Sequence, residues 1–280
     1  ELDVDDYESD TFLDPGCGAG VCPAGGVGAK LAGHEGEYAP GKLVEAITHT
    51  VYGIGLSPVA VRGAKLGYLL ALLPILDDAG STRLELPVCL TDSLGLTRDD
   101  PIRFGDERLD LRVDHLVGNP PWITWGALPN RLREAWREGY AEELDLLPHR
   151  GVEARLGHTN DDVSVPFVWV CIHRYLVDDG EASFVLKRDI TKGPAGRLLR
   201  TQRVNGRPAA VRHIHDFDGL RPFGDGVDVA AAVYTLDADA EPAFPIAVDS
   251  WRAAGSSPSF ATADAMRETL ARERTGGVPV

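Results

Sequence analysis

An asparagine followed by two prolines and a tryptophan, Asn119-Pro120-Pro121-Trp122, stands at the end of the run Asp114-His115-Leu116-Val117-Gly118. Neither proline has an N–H, so the backbone here cannot join a helix ladder, and the Pro120 carbonyl keeps its lone pairs for another donor. With the Asn119 amide oxygen it offers a primary amine two acceptors, and Trp122 adds a flat surface. Taken alone, the same residues read more readily as a Pro-Pro turn ending a strand, with Trp122 as a buried anchor. A second segment upstream changes that weighting. Asp14-Pro15-Gly16-Cys17-Gly18-Ala19-Gly20 follows the short apolar strand Thr11-Phe12-Leu13 and holds three glycines within five residues. Such a turn adopts positive φ freely and lets the backbone approach a ligand closely. The helix expected after it would aim its free N–H groups at the same spot.

These features have to be positioned by the elements between them. Strands are expected near 11–14, 50–55, 86–91, 114–118 and 182–187, separated by helical stretches near 41–49, 57–73, 130–142 and 163–177. The alternation predicts an α/β fold with a doubly wound sheet. Ligands in such sheets bind beyond the carboxyl ends of the strands. Asp14, Asp92 and Asn119 all fall at such ends. Residues 79–83 and 98–108 read as loops. Asp161 and Asp162 read as helix caps.

The two motifs, in this order and at this separation, resemble those of the amino-methyltransferases that use S-adenosylmethionine, in particular the adenine-N6 DNA methylases of restriction-modification and related phage-defence systems. The resemblance covers roughly residues 11–236. It implies a Rossmann-like methyltransferase sheet, mostly parallel, with a C-terminal antiparallel hairpin at 211–218 and 227–236. Asp14, Pro15, Gly16, Cys17, Gly18 and Gly20 would form the cofactor loop around the methionine end. Gly55 would close the second cofactor strand, and Asp92 and Ser93 would lie beside the cofactor adenine. Asn119, Pro120, Pro121 and Trp122 would be the catalytic corner, accepting the amine hydrogens and stacking on an adenine flipped out of double-stranded DNA. A specificity or nuclease subunit or domain is an expected partner. Neither a metal nor a membrane is expected.

Two departures from the family pattern stand out. Relatives carry an acid in the second strand that accepts the ribose hydroxyls, and here that position is Gly55. A neighbouring carboxylate such as Glu45 could substitute. The chain also opens with Glu1 and reaches its first cofactor strand within about ten residues. Residues 1–245 are therefore expected to be a catalytic domain without its N-terminal helical segment, with 246–280 a linker and a short helix, near 263–274, that begin a recognition region.

Composition sets limits. The 280 residues, 44% of them hydrophobic, can bury a full core, and no run reads as a membrane span. Cys17, Cys22, Cys89 and Cys171 show neither a CxxC pair nor zinc spacing, which points to buried apolar residues in a reducing cytoplasm. A net charge of −15 is unusual for a partner of DNA. Two features offset it. Between Lys187 and Arg212 there are eight basic residues against the single acid Asp189, and Lys187, Arg188, Lys192, Arg197 and Arg200 are the expected phosphate contacts. Aspartate-rich, lysine-poor composition also suits a saline cytoplasm, where repulsion is screened over about 3 Å at molar salt. His213 and His215 share one strand face. An HxH pair can hold a metal, but no third ligand is evident, so hairpin packing is the expected role.

Overall fold

The computed structural model of the chain describes residues 9–34, 38–80, 84–95, 100–141, 143–146, 162–193, 196–217, 219–223, 230–255 and 263–278. They form two units, one from residues 1–119 and 170–181, the other from 120–169 and 182–280.

The first unit opens with β1 (Phe12–Asp14), α1 (Val21–Gly33), α2 (Pro40–Thr48), β2 (Val51–Gly55), α3 (Pro58–Ala79) and β3 (Val88–Leu90). A hairpin of β4 (Ile102–Phe104) and β5 (Glu107–Leu109) precedes β6 (Val113–Gly118). The sheet order β6-β1-β2-β3 is parallel throughout. Residues of β1 and β2 are buried on both faces, as expected of parallel strands covered by helices.

Sequence explains the helices. Ser57 caps α3 by accepting the Ala60 N–H, and Pro58 occupies its first turn, where a missing N–H costs nothing. Val61, Ala64, Tyr68 and Leu72 recur at helical spacing and are buried in the core with Val27, Ile47 and Val51. The Tyr68 hydroxyl donates to the carbonyls of Ile47 and Val51, joining α3 to the end of α2 and the start of β2. At Gly20, φ is +89° and an added Cβ would lie 2.5 Å from the Ala64 Cα, so only glycine lets α1 start this close to α3.

The second unit contains α4 (Asn130–Trp136), which continues as a π-turn over Arg137–Ala141, and the short helix Arg197–Thr201. Helix α5 (Ser164–Tyr175) and strand β7 (Leu176–Lys187) pass through both units. The remaining strands are β8 (Arg203–Val204), β9 (Arg207–Asp216), β10 (Ala231–Ala238), β11 (Ile246–Ala253) and β12 (Leu270–Val278). Their order is β12-β11-β9-β10, with the later part of β7 beyond β10 and β8 paired to β9. Pairing is antiparallel for β9/β10 and β11/β12 but parallel for β11/β9. The expected α/β class, with parallel strands and a C-terminal antiparallel part, is what the chain adopts.

Four expectations need correction. Within the expected loop, residues 100–108 are not simply a loop: Ile102 and Phe104 bury alternate positions and Gly105, at φ +62°, turns the chain into β5. The tail is not a linker and helix. Residues 246–253 form a strand on β9, the helix runs only over Ala263–Thr269, and 270–278 is a strand. The hairpin strands lie at 207–216 and 231–238, and residues 218 and 224–229 of the expected span are outside the described set. Finally, Pro58–Asp77 in α3 is long and apolar enough to cross a membrane, with a mean hydropathy of 1.6. Its Tyr68 stripe packs into the first unit's core, while Val59, Leu66, Leu70 and Leu73 are exposed. Residues 81–83, 98–99 and Asp161, read from sequence as loop or cap, lie outside the described residues.

Candidate active site

In the first unit the register of β1 against β6 sets the geometry. Phe12 faces His115 and Leu13 faces Leu116, so Asp14 and Asn119 both emerge at the carboxyl edge of adjacent parallel strands. The Asp114 carboxylate accepts the Thr11 N–H at 2.9 Å and the Thr11 hydroxyl at 2.6 Å, while the Asp114 N–H donates to that hydroxyl oxygen. Asn119 is exposed.

The glycine turn joins the same edge. The Cys17 N–H donates to the Ile54 carbonyl and the Thr91 N–H to the Gly55 carbonyl, so the turn, the end of β2 and the Asp92 turn follow one another. Gly18 has φ +50° and is exposed, with Ala19 and Val21 exposed beside it at the start of α1. Asp14 is buried, and its carboxylate accepts the Gly16 N–H at 2.9 Å. Burial pushes its pKa up to about 7, against the lowering effect of the Gly16 N–H and the Cys22 thiol. Burial, and then the Asp14 charge, raise Cys17 to about 12, so this thiol is no nucleophile. Asp92 accepts the Leu94 N–H at 3.0 Å, and the Ser93 carbonyl accepts the Tyr175 hydroxyl, which fixes this turn against α5.

The ribose position is the misfit. A Cβ on Gly55 would lie 2.7 Å from Cγ2 of Val61, so an acid does not fit at this position without movement of Val61. Glu45 does not take its place. It lines a cavity of about 540 Å³ with His49, Tyr52, Glu85 and Phe104, beside the residues that lead into β2 and β3. A second cavity, of about 210 Å³, lies between α1 and β1 and includes Asp14, Cys22 and Val117. Neither cavity includes Asn119.

In the second unit Pro120 is buried, and Pro121 and Trp122 are half-buried. The Trp122 indole donates its N–H to the Val185 carbonyl at 3.2 Å and meets Phe223 edge-on, with centroids 5.5 Å apart and an interplanar angle of 87°. Its ring is thereby fixed in one orientation. Downstream, the Ile123 carbonyl accepts the Val163 N–H and Thr124 bridges to Asp162. Asp162 caps α5 through the Ser164 N–H at 2.8 Å, as its sequence position suggested. Trp125 is buried against Trp136 and is core.

The basic stretch is more occupied than its composition implies. Lys187 pairs with Asp162, Arg188 with Asp216, Arg207 with Asp239 and Arg212 with Asp237. Arg197 donates to the Asp145 carbonyl, and Arg200 to the carbonyls of Thr191 and Gly193. Among the described residues Lys192 pairs with its exposed neighbour Asp189 alone. The acids come from distant segments, so a count along the chain could not find them.

Sequence reasoning also missed a partner for His213 and His215. The parallel pairing of β11 with β9 sets Asp249 beside His215, and His213 Nε2 lies 2.9 Å from Asp249 Oδ2. Asp249 is fully buried, and Arg272 and His213 hold its pKa below the usual carboxylate value despite that burial. The alternation of Ile246 and Val248 before Asp249 is the local signal of this strand.

No protein-family model matches the chain. Among curated proteins it is 23% identical over 243 residues to the type II methyltransferase M.BstVI of Geobacillus stearothermophilus, covering 84% of this chain and 39% of that protein. Among solved structures, the type IIL restriction-modification enzyme MmeI in complex with DNA matches 97% of this chain and 35% of its own, with TM-score 0.58 and 12% identity. The type ISP restriction-modification enzyme LlaGI, a nuclease-deletion mutant with a DNA substrate mimic, matches 86% of this chain and 21% of its own, with TM-score 0.59 and 14% identity. The fold of the chain is similar to that of these methyltransferases of restriction-modification systems. It spans about two fifths of the length of its curated relative, 39%.

Proposed function

We propose that this chain is the catalytic part of a restriction-modification methyltransferase that methylates the exocyclic amino group of adenine in double-stranded DNA. One observation carries the reading: the β1/β6 pairing sets the Asp14 turn and Asn119 at one strand edge. The likeness to M.BstVI supports it.

The residues fit S-adenosylmethionine at two ends. The backbone of exposed Gly18 and Ala19 and the start of α1 would suit its carboxylate, and Asp92 with Ser93 would flank its adenine. At the ribose end Gly55 stands where relatives carry an acid. When bound, the cofactor supplies an electrophilic methyl group on a sulfonium.

An adenine amine is a poor nucleophile because its lone pair is delocalised into the ring. The Asn119 side-chain oxygen and the Pro120 carbonyl would accept its two hydrogens and favour a pyramidal nitrogen, so positioning and electrostatics supply the rate. Trp122, held by Val185 and Phe223, would stack on a base taken out of the duplex. Lys192 and its basic neighbours would meet phosphate, and a specificity or nuclease subunit or domain would complete the system. Transfer of a labelled methyl group to DNA, followed by identification of the modified nucleoside, tests the reading. Methylated adenine supports it, whereas label on cytosine N4, RNA or protein glutamine would assign the corner to another amine.

A second reading, a folded remnant without activity, is favoured by one observation: the Gly55 position is closed by Val61. Calorimetry with S-adenosylmethionine separates the two, since a remnant would give no binding heat.

A further inference from the structure

We propose that His213, His215 and Asp249 form a binding site for a divalent transition-metal cation that clips β11 to β9. The ligand atoms these three offer lie within 4.8 Å of one another. The imidazoles are half-buried, with ring centroids 4.5 Å apart and inclined by 31°. Their strand spacing turns both to one face, and the parallel register brings Asp249 to that face from the neighbouring strand.

A second, independent observation points to a missing ligand. Asp249 is fully buried, and its two oxygens are treated unequally. Oδ2 accepts from His213 Nε2 at 2.9 Å and from Arg272 Nε at 2.7 Å, while Oδ1 is buried with no hydrogen-bond partner among the described residues. A buried carboxylate oxygen without a donor is costly and calls for a bound water or ion. Two imidazole nitrogens and one carboxylate form a donor set that selects zinc, cobalt or nickel over magnesium or calcium.

The same side chains make further hydrogen bonds. The Trp251 indole N–H donates to His215 Nδ1 at 3.2 Å, and Arg272 supplies the positive charge opposite Asp249. Coordination through that nitrogen displaces the Trp251 N–H, and the cation takes over the charge role of Arg272. Trp251 thus reports on occupancy.

The test uses the full 280-residue chain, stripped with chelator and titrated with Zn²⁺ or Co²⁺ while tryptophan fluorescence is followed beside calorimetry. Expected is saturable binding of one cation per chain, with a fluorescence change that disappears in Trp251→Phe although binding persists. Binding should be lost in His213→Gln and in His215→Gln, and should tighten in Arg272→Gln, which leaves all three ligands in place. Circular dichroism of each variant confirms that it is folded. Absence of saturable binding in the folded wild-type chain, or equal binding by the folded His213→Gln/His215→Gln variant, would overturn the site and leave Asp249 a plain partner of Arg272. Neither outcome depends on methyl transfer, so this proposal stands or falls apart from the proposed reaction.

Discussion

The Thr11 hydroxyl lies 2.6 Å from the Asp114 carboxylate, and the Thr11 N–H reaches the same oxygen at 2.9 Å. This pair locks β1 to β6 three residues before Asp14 and five before Asn119. A slip by one residue would turn every following side chain to the other face. Asp114→Ala is therefore expected to destabilise the chain by about 1–3 kcal/mol, because two donors lose their acceptor. Methyl transfer should fall further than unfolding explains. Urea unfolding set beside single-turnover transfer checks both parts.

Gly55 and Val61 make a separable prediction. Gly55→Asp alone should cost about 1–3 kcal/mol through overpacking, because its Cβ would meet Val61 Cγ2 at 2.7 Å. Combined with Val61→Ala, the new carboxylate gains room, and one charged hydrogen bond to a ribose hydroxyl is worth about 1.5–3 kcal/mol. Cofactor affinity should then rise by roughly tenfold or more, measured by calorimetry.

Asp14 gives a pH dependence. Burial raises its folded-state pKa from 3.8 to about 7. The unfolded chain thus loses this proton first, and the stability Asp14 contributes is full below its unfolded value, declines as pH rises from about 4, and is gone above the folded value. A bound sulfonium favours the ionised form, so cofactor binding should strengthen as pH rises through about 7 and should release a proton. Calorimetry in buffers of different ionisation enthalpy measures that release. Asp14→Asn should remove both trends.

Within the basic stretch the pairings distinguish contact from scaffold. Among the described residues Lys192 has only exposed Asp189 as partner, so Lys192→Ala should leave stability nearly unchanged and reduce the salt slope of DNA binding by about one. Lys187 pairs with the largely buried Asp162 that caps α5. Lys187→Ala should instead destabilise the fold, by about 1–3 kcal/mol. Salt-dependent DNA titrations and thermal unfolding of both variants check this.

What the sequence revealed, and what it hid, follows from the range of each interaction. The parallel strands and α3 were legible because their patterns are local: Val61, Ala64, Tyr68 and Leu72 repeat along one helix. The Asp14 turn and Asn119 could be placed at one edge because alternating strands and helices leave few topologies. The partners of Lys187, Arg188 and Arg212 were hidden, since Asp162, Asp216 and Asp237 reach them only through tertiary pairing. Asp249 was missed for the same reason, being 34 residues beyond His215 yet beside it in the sheet. The closure of the Gly55 position by Val61 is a packing fact that no motif encodes.

The most direct test of the proposed reaction is a paired measurement on Asn119→Ala: S-adenosylmethionine affinity by calorimetry, and transfer of a labelled methyl group to DNA. Asn119 is exposed and lies outside the glycine turn. The account predicts that transfer disappears while cofactor affinity stays within about twofold of wild type, a change under 0.5 kcal/mol. Undiminished transfer, or loss of cofactor binding together with transfer, would contradict it.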